Sequence, residues 1–226
     1  MAHAIPSIAC LGVIGRNNNP LHITIFPSYN PTSSNDTQSA SAPLRTPLQF
    51  SLLLSSTLDV FARRAQHAAS TGTLLSGDFG MLHAVDERLA AYGFETNTGV
   101  KFVAVVDMRG RLPGGGGSGS GAGGSTSGAA SAGSRGGSGG MMMTNTSISA
   151  AAAAAAGSGV GLREGELKVV FRAMQTAYVR LLQNPFYDPD EHSPLAGRGG
   201  KRITSRKFAD EMRRIGEAWA PGVTSL

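Results

Sequence analysis

Fifty-three consecutive residues in the middle of this chain lack the means to build a core, and everything else must fold around them. From Arg109 to Gly161 there are 18 glycines, many serines, the alanine run Ala150 to Ala156, three arginines and no acid. Such a stretch buries too little apolar surface to offset its ordering entropy, so it is expected to be a flexible low-complexity insert. A shorter polar stretch, Ser28 to Pro43, has the same character. The remainder of the 226 residues still suffices for a proper core, and the expectation is one domain spanning 1–226 with an insert at 109–161 and a polar loop at 28–43.

The folded part reads as alternating strand and helix patterns. Ile8 to Ile14 is apolar on both faces, as in a strand buried from both sides, and Asn17 to Pro20 supplies a turn. The returning arm, Leu21 to Phe26, sets Leu21, Ile23 and Ile25 against His22, Thr24 and Phe26 on the opposite face. Leu54, Leu58, Phe61, Ala65 and Ala68 then recur at helical spacing, predicting a helix from Pro47 to about Ser70 that Gly72 ends. Phe79 to Val85, Leu89 to Thr96 and Val100 to Asp107 form a meander whose last strand is apolar enough to lie centrally, with helices on both sheet faces. Leu167, Val170, Phe171, Met174, Tyr178, Leu181 and Leu182 mark a second helix. Asn184 to Pro189, NPFYDP, closes it, because Pro185 has no N–H to donate and forces Asn184 out of helical geometry. A third helix begins near Thr204 with Phe208, Met212, Ile215 and Trp219 on one stripe. The order is ββαβββαα, an α+β arrangement.

In that order, several segments resemble the small sedlin-like subunits of the transport protein particle (TRAPP) tethering complex, particularly the subunit-two-like branch. They are the amino-terminal hairpin, STLDV at Ser56 to Val60, YGFETNTGVKFVAVVD at Tyr92 to Asp107, the helix ending in NPFYDP, and ITSRKF at Ile203 to Phe208. The resemblance implies a longin-like (SNARE-like) fold: a five-stranded, largely antiparallel sheet with the first helix on one face and the last two on the other. It implies a non-catalytic adaptor without cofactor, acting in ER-to-Golgi and Golgi traffic and located in the cytoplasm at the periphery of those membranes. Its partners would be small longin-like and synbindin/Bet-type subunits and large scaffold subunits, with a Rab GTPase reached through the complex. The alternative is a longin-type SNARE regulator or adaptor small chain outside TRAPP. A SNARE would need a further heptad helix and usually an anchor, and neither pattern is present.

Four residues are candidate protein contacts: Leu58, Asp59, Phe186 and Tyr187. On pattern alone Asp59 is a solvent-facing acid on the polar side of its helix; the resemblance implies a subunit contact instead. Phe186 and Tyr187 are expected to fold back on the sheet edge, with a partner surface as the second reading. Where the family often carries further acids after this LD, Phe61, Ala62, Arg63 and Arg64 follow here, so partner choice on that face is expected to differ.

No chemistry competes with this. Gly119, Gly121 and Gly124 satisfy GxGxxG and Gly136, Ser138 and Gly140 satisfy GxSxG, but both lie in the insert without the helix or elbow that gives such patterns a function. The five histidines are scattered, with no pair at metal-ligand spacing; His22 and His83 are expected half-buried in strands and His67 on a helix surface. Cys10 is the only cysteine and is expected to be a small core residue. Between Leu195 and Arg214, seven basic residues face two acids, which suggests a solvated helix face, with an anionic membrane surface or acidic partner second. Interleaved aromatics for base stacking are missing, so nucleic acid is not expected as a partner.

Overall fold

The computed structural model describes residues 5–29, 42–72, 77–111, 162, 165–188 and 202–226. Five strands, β1 (Ile5–Ile14), β2 (Pro20–Ile25), β3 (Asp78–Ala84), β4 (Leu89–Glu95) and β5 (Lys101–Arg111), form one sheet in the order β2-β1-β5-β4-β3. Every pairing is antiparallel. Three helices complete the fold: α1 (Pro47–Thr71), α2 (Lys168–Leu182) and α3 (Arg206–Ala218). This is the α+β, longin-like arrangement expected, with the apolar β5 in the centre.

The strand alternation of β1 and β5 divides the interior into two cores. Ile8, Leu11 and Val13 of β1 and Phe102, Ala104 and Val106 of β5 face α2 and α3, meeting Val170, Phe171, Met174, Phe208, Met212, Ile215 and Trp219. Cys10, Ile14, Val103 and Val105 face the other way, onto Phe50, Leu54 and Phe61 of α1. Glycines let α1 sit close: a methyl at Gly12 would come within 2.7 Å of the Leu54 side chain, and one at Gly93 within 2.5 Å of Phe61. The close approach gives α1 the dispersion contacts that hold it down.

Two expectations shift. Leu21 does not share a face with Ile23 and Ile25. The register jumps from Val13↔His22 to Ile14↔Pro20, leaving Leu21 as the extra residue of a bulge, so it joins Phe26 in the α2/α3 core. Its carbonyl, released from the ladder, accepts from the N–H of Ile203 at 2.9 Å and ties the approach to α3 onto the sheet edge. Secondly, β5 continues through Arg111, so Arg109 to Arg111 are strand and not low-complexity chain. The rest of the 109–161 segment, residues 30–41 of the polar stretch and residues 195–201 of the basic stretch lie outside the described residues.

Candidate protein-contact surfaces

The outer side of α1 is the first candidate. Thr46 opens the helix with a reciprocal cap, its Oγ1 accepting from Gln49 N while Gln49 Oε1 accepts from Thr46 N, and Pro47 takes the first turn. Gly72 ends it in the left-handed conformation, φ 64°. With Phe50, Leu54 and Phe61 turned to the sheet, Leu48, Leu52, Ser55 and Asp59 follow one another at intervals of four, three and four residues along the solvent side. Leu48 is 70% exposed and Leu52 62%. Leu58 turns inward and packs, partly buried, against the α1 core, so only Asp59 of that pair is presented. Arg63 is exposed. Arg64 instead reaches the carbonyls of Phe79 and Met81, satisfying acceptors of the edge strand β3.

The second candidate is the corner after α2. Tyr187 N donates to Asn184 O at 3.0 Å, closing a turn over Pro185 and Phe186, and Phe186 N donates to Asn184 Oδ1 at 3.1 Å. The two aromatics part company here. Tyr187 packs back onto the α2/α3 core beside Tyr178, and burial, with the Tyr178 phenol next to it, pushes its hydroxyl pKa up. Phe186 does not fold back as expected: it is 95% exposed, because the turn that points Tyr187 inward points its neighbour out. Val179 and Leu182, near the end of α2, are exposed as well.

A third feature escaped sequence reasoning. Asp107 is fully buried within the central strand and pairs with Arg88, whose Nη2 lies 2.6 Å from Oδ2 and Nε 3.2 Å from Oδ1. Arg88 Nη2 also donates to Tyr29 O at 2.9 Å, and Tyr29 N donates to Gly110 O at 2.8 Å. Ser28 N meets Ala42 O at 3.1 Å. Arg45 pairs with Asp86 at 2.5 Å. Burial raises the Asp86 pKa, but the amides of Leu89 and Arg88 and the Arg45 guanidinium outweigh it, so the carboxyl titrates below its ordinary range. The departure points of the polar loop and of the low-complexity segment are thus held side by side.

Among the described residues no three His, Cys, Asp or Glu side chains gather in a way that could hold a metal ion. Cys10 is fully buried, and burial pushes its thiol pKa far up, which leaves it inert. His22 is half-buried against Phe208, and burial lowers its pKa despite a bond to the Ile203 backbone. His83 is exposed on β3, not half-buried, since it stands near the end of an edge strand; His67 is on the helix surface as expected. The GxGxxG and GxSxG patterns lie outside the described residues. Arg206, Lys207, Arg213 and Arg214 line the outer side of α3, and Arg214 holds Glu211 below the usual carboxylate range. No helix among the described residues is long and apolar enough to cross a membrane.

Against known proteins, the family model described as Sedlin matches residues 13–218. No curated protein matches the chain.

Proposed function

The chain belongs to the sedlin family of TRAPP subunits and so has a TRAPP-type role in trafficking, and from that premise we propose that it is a non-catalytic adaptor which works by presenting surfaces. Members of the family are generally non-catalytic and assemble with other TRAPP subunits. The observation that carries the reading is the solvent stripe of α1, where two exposed leucines and Asp59 follow one another on a helix whose other side is anchored in the core. Exposed apolar side chains beside a charge suit a protein contact, the leucines giving area and the acid selecting register. The corner at Phe186 is a second contact surface, with Tyr187 as its support. The neighbours are small longin-like and synbindin/Bet-type subunits or a large scaffold subunit. The assembly, rather than this chain, promotes nucleotide exchange on a Rab GTPase, at ER-Golgi and Golgi membranes which the chain meets from the cytoplasm.

Purification of the tagged chain followed by mass spectrometry tests this. Other TRAPP subunits are expected in the eluate, and their complete absence overturns the adaptor role. Asp59→Tyr is expected to reduce recovery of at least one neighbour while leaving the fold intact; unchanged recovery removes Asp59 from the interface.

A further inference from the structure

Phe186 is the most exposed large apolar side chain among the described residues, and the fold makes no use of its ring. What lies beneath the ring is nevertheless carefully built. Asn184 accepts twice, through Oδ1 from Phe186 N and through its carbonyl from Tyr187 N, while Pro185 fixes the backbone between them. Tyr187 anchors the turn from behind by packing against the core. An Asn-Pro-Phe tripeptide is therefore locked in a closed turn with its aromatic ring held out in water.

We propose that the Asn184–Phe186 turn is a docking plug for a folded protein domain that carries a single-ring apolar pocket with a polar rim, the chemistry that reads Asn-Pro-Phe turns. The proposal rests on the corner being a protein-contact surface and names the kind of partner that surface takes. Three observations select a protein pocket. The ring stands clear on a rigid turn, 95% exposed against 43% and 42% for Val179 and Leu182 near the end of α2, so a hole for one phenyl group buries it where a flat surface would cover only one side. The conformation is already set by internal hydrogen bonds, so little ordering entropy is lost on binding. Interfacial anchoring takes hold through several apolar groups together, whereas at this corner only Phe186 is almost wholly exposed.

The test uses the purified full chain titrated with a purified Asn-Pro-Phe-binding domain, followed by calorimetry, with a capped Asn-Pro-Phe peptide as competitor. Saturable one-to-one binding that the peptide displaces is expected. Phe186→Ala removes a central aromatic anchor and is expected to weaken binding by about tenfold or more. Asn184→Ala opens the turn and is expected to weaken it in the same direction. Lack of saturable binding, or binding that Phe186→Ala leaves unchanged, overturns the proposal. So does Phe186-dependent binding to vesicles of phosphatidylcholine and phosphatidylserine in place of the domain, which assigns the ring to lipid. Failure of the adaptor role would show separately, as loss of TRAPP subunits from the purification while binding to the isolated domain persists.

Discussion

Replacing Arg88 by Met should damage this fold more than replacing the acid it serves. Asp107 is completely buried and the Arg88 side chain is 22% exposed. Without the guanidinium, the carboxylate retains the Arg109 amide at 2.9 Å and loses both bonds at 2.6 and 3.2 Å, while the Tyr29 carbonyl loses its donor. Leaving such a charge uncompensated costs about 3–5 kcal/mol. That is a large part of the ~5–15 kcal/mol expected for a domain. Asp107→Ala is milder, about 1–3 kcal/mol, because Arg88 keeps the Tyr29 carbonyl and can hydrate through its exposed end. The double variant should cost less than the sum by roughly 2 kcal/mol, since no unpaired charge remains inside. Urea denaturation of the four proteins, with m-values compared, measures each term. The reasoning is refuted if Arg88→Met costs no more than Asp107→Ala, or if the two costs add to within about 0.5 kcal/mol.

Phe186→Ala should leave stability within about 0.5 kcal/mol, whereas Tyr187→Ala should cost about 2 kcal/mol; equal thermal shifts would contradict the split orientation of the corner. His22 should titrate below 6.5 by NMR, because burial disfavours its charged form. Its depressed native pKa means the contribution to stability is complete above about 6.5 and declines as pH falls below that value. A midpoint at or above 6.5 would refute this. Cys10 should resist a disulfide reagent in the native protein and react only on unfolding; rapid native labelling would place it outside the core.

Much of the scaffold was legible because its signals are local. Pro47 and Gly72 bracket α1, and the Phe208, Met212, Ile215 and Trp219 stripe that marks α3 is buried throughout. What stayed hidden depends on pairing between distant residues. Leu21 sits one residue out of step because β1 and β2 bulge against each other, and no single-strand alternation contains that information. Asp107 ends an apolar run and reads as a strand terminus; its partner lies 19 residues earlier in a turn rich in charge. At the candidate contacts, helical phase alone puts Asp59 outward and Leu58 inward. Phe186 and Tyr187 are neighbours of similar propensity, and only the hydrogen bonds of Asn184 decide which ring reaches the core.

The separation of the two cores bears on how the proposed adaptor role would work. The α1 stripe lies over the sheet face lined by Cys10, Val103 and Val105, whereas the Phe186 corner ends a helix packed on the face lined by Leu11, Phe102 and Ala104. Adjacent residues of β5 serve different cores. Substitutions at the α1 stripe and at the Phe186 corner share no core partners, so their effects on stability are expected to add. In the adaptor role proposed above, a partner on α1 and another at the corner would be held at once, with the sheet as the spacer between them. The charged clamp at Arg88 and Asp107 ties Tyr29 to the central strand, where Tyr29 N also donates to Gly110 O, so the described residues on either side of the two long connections are held together.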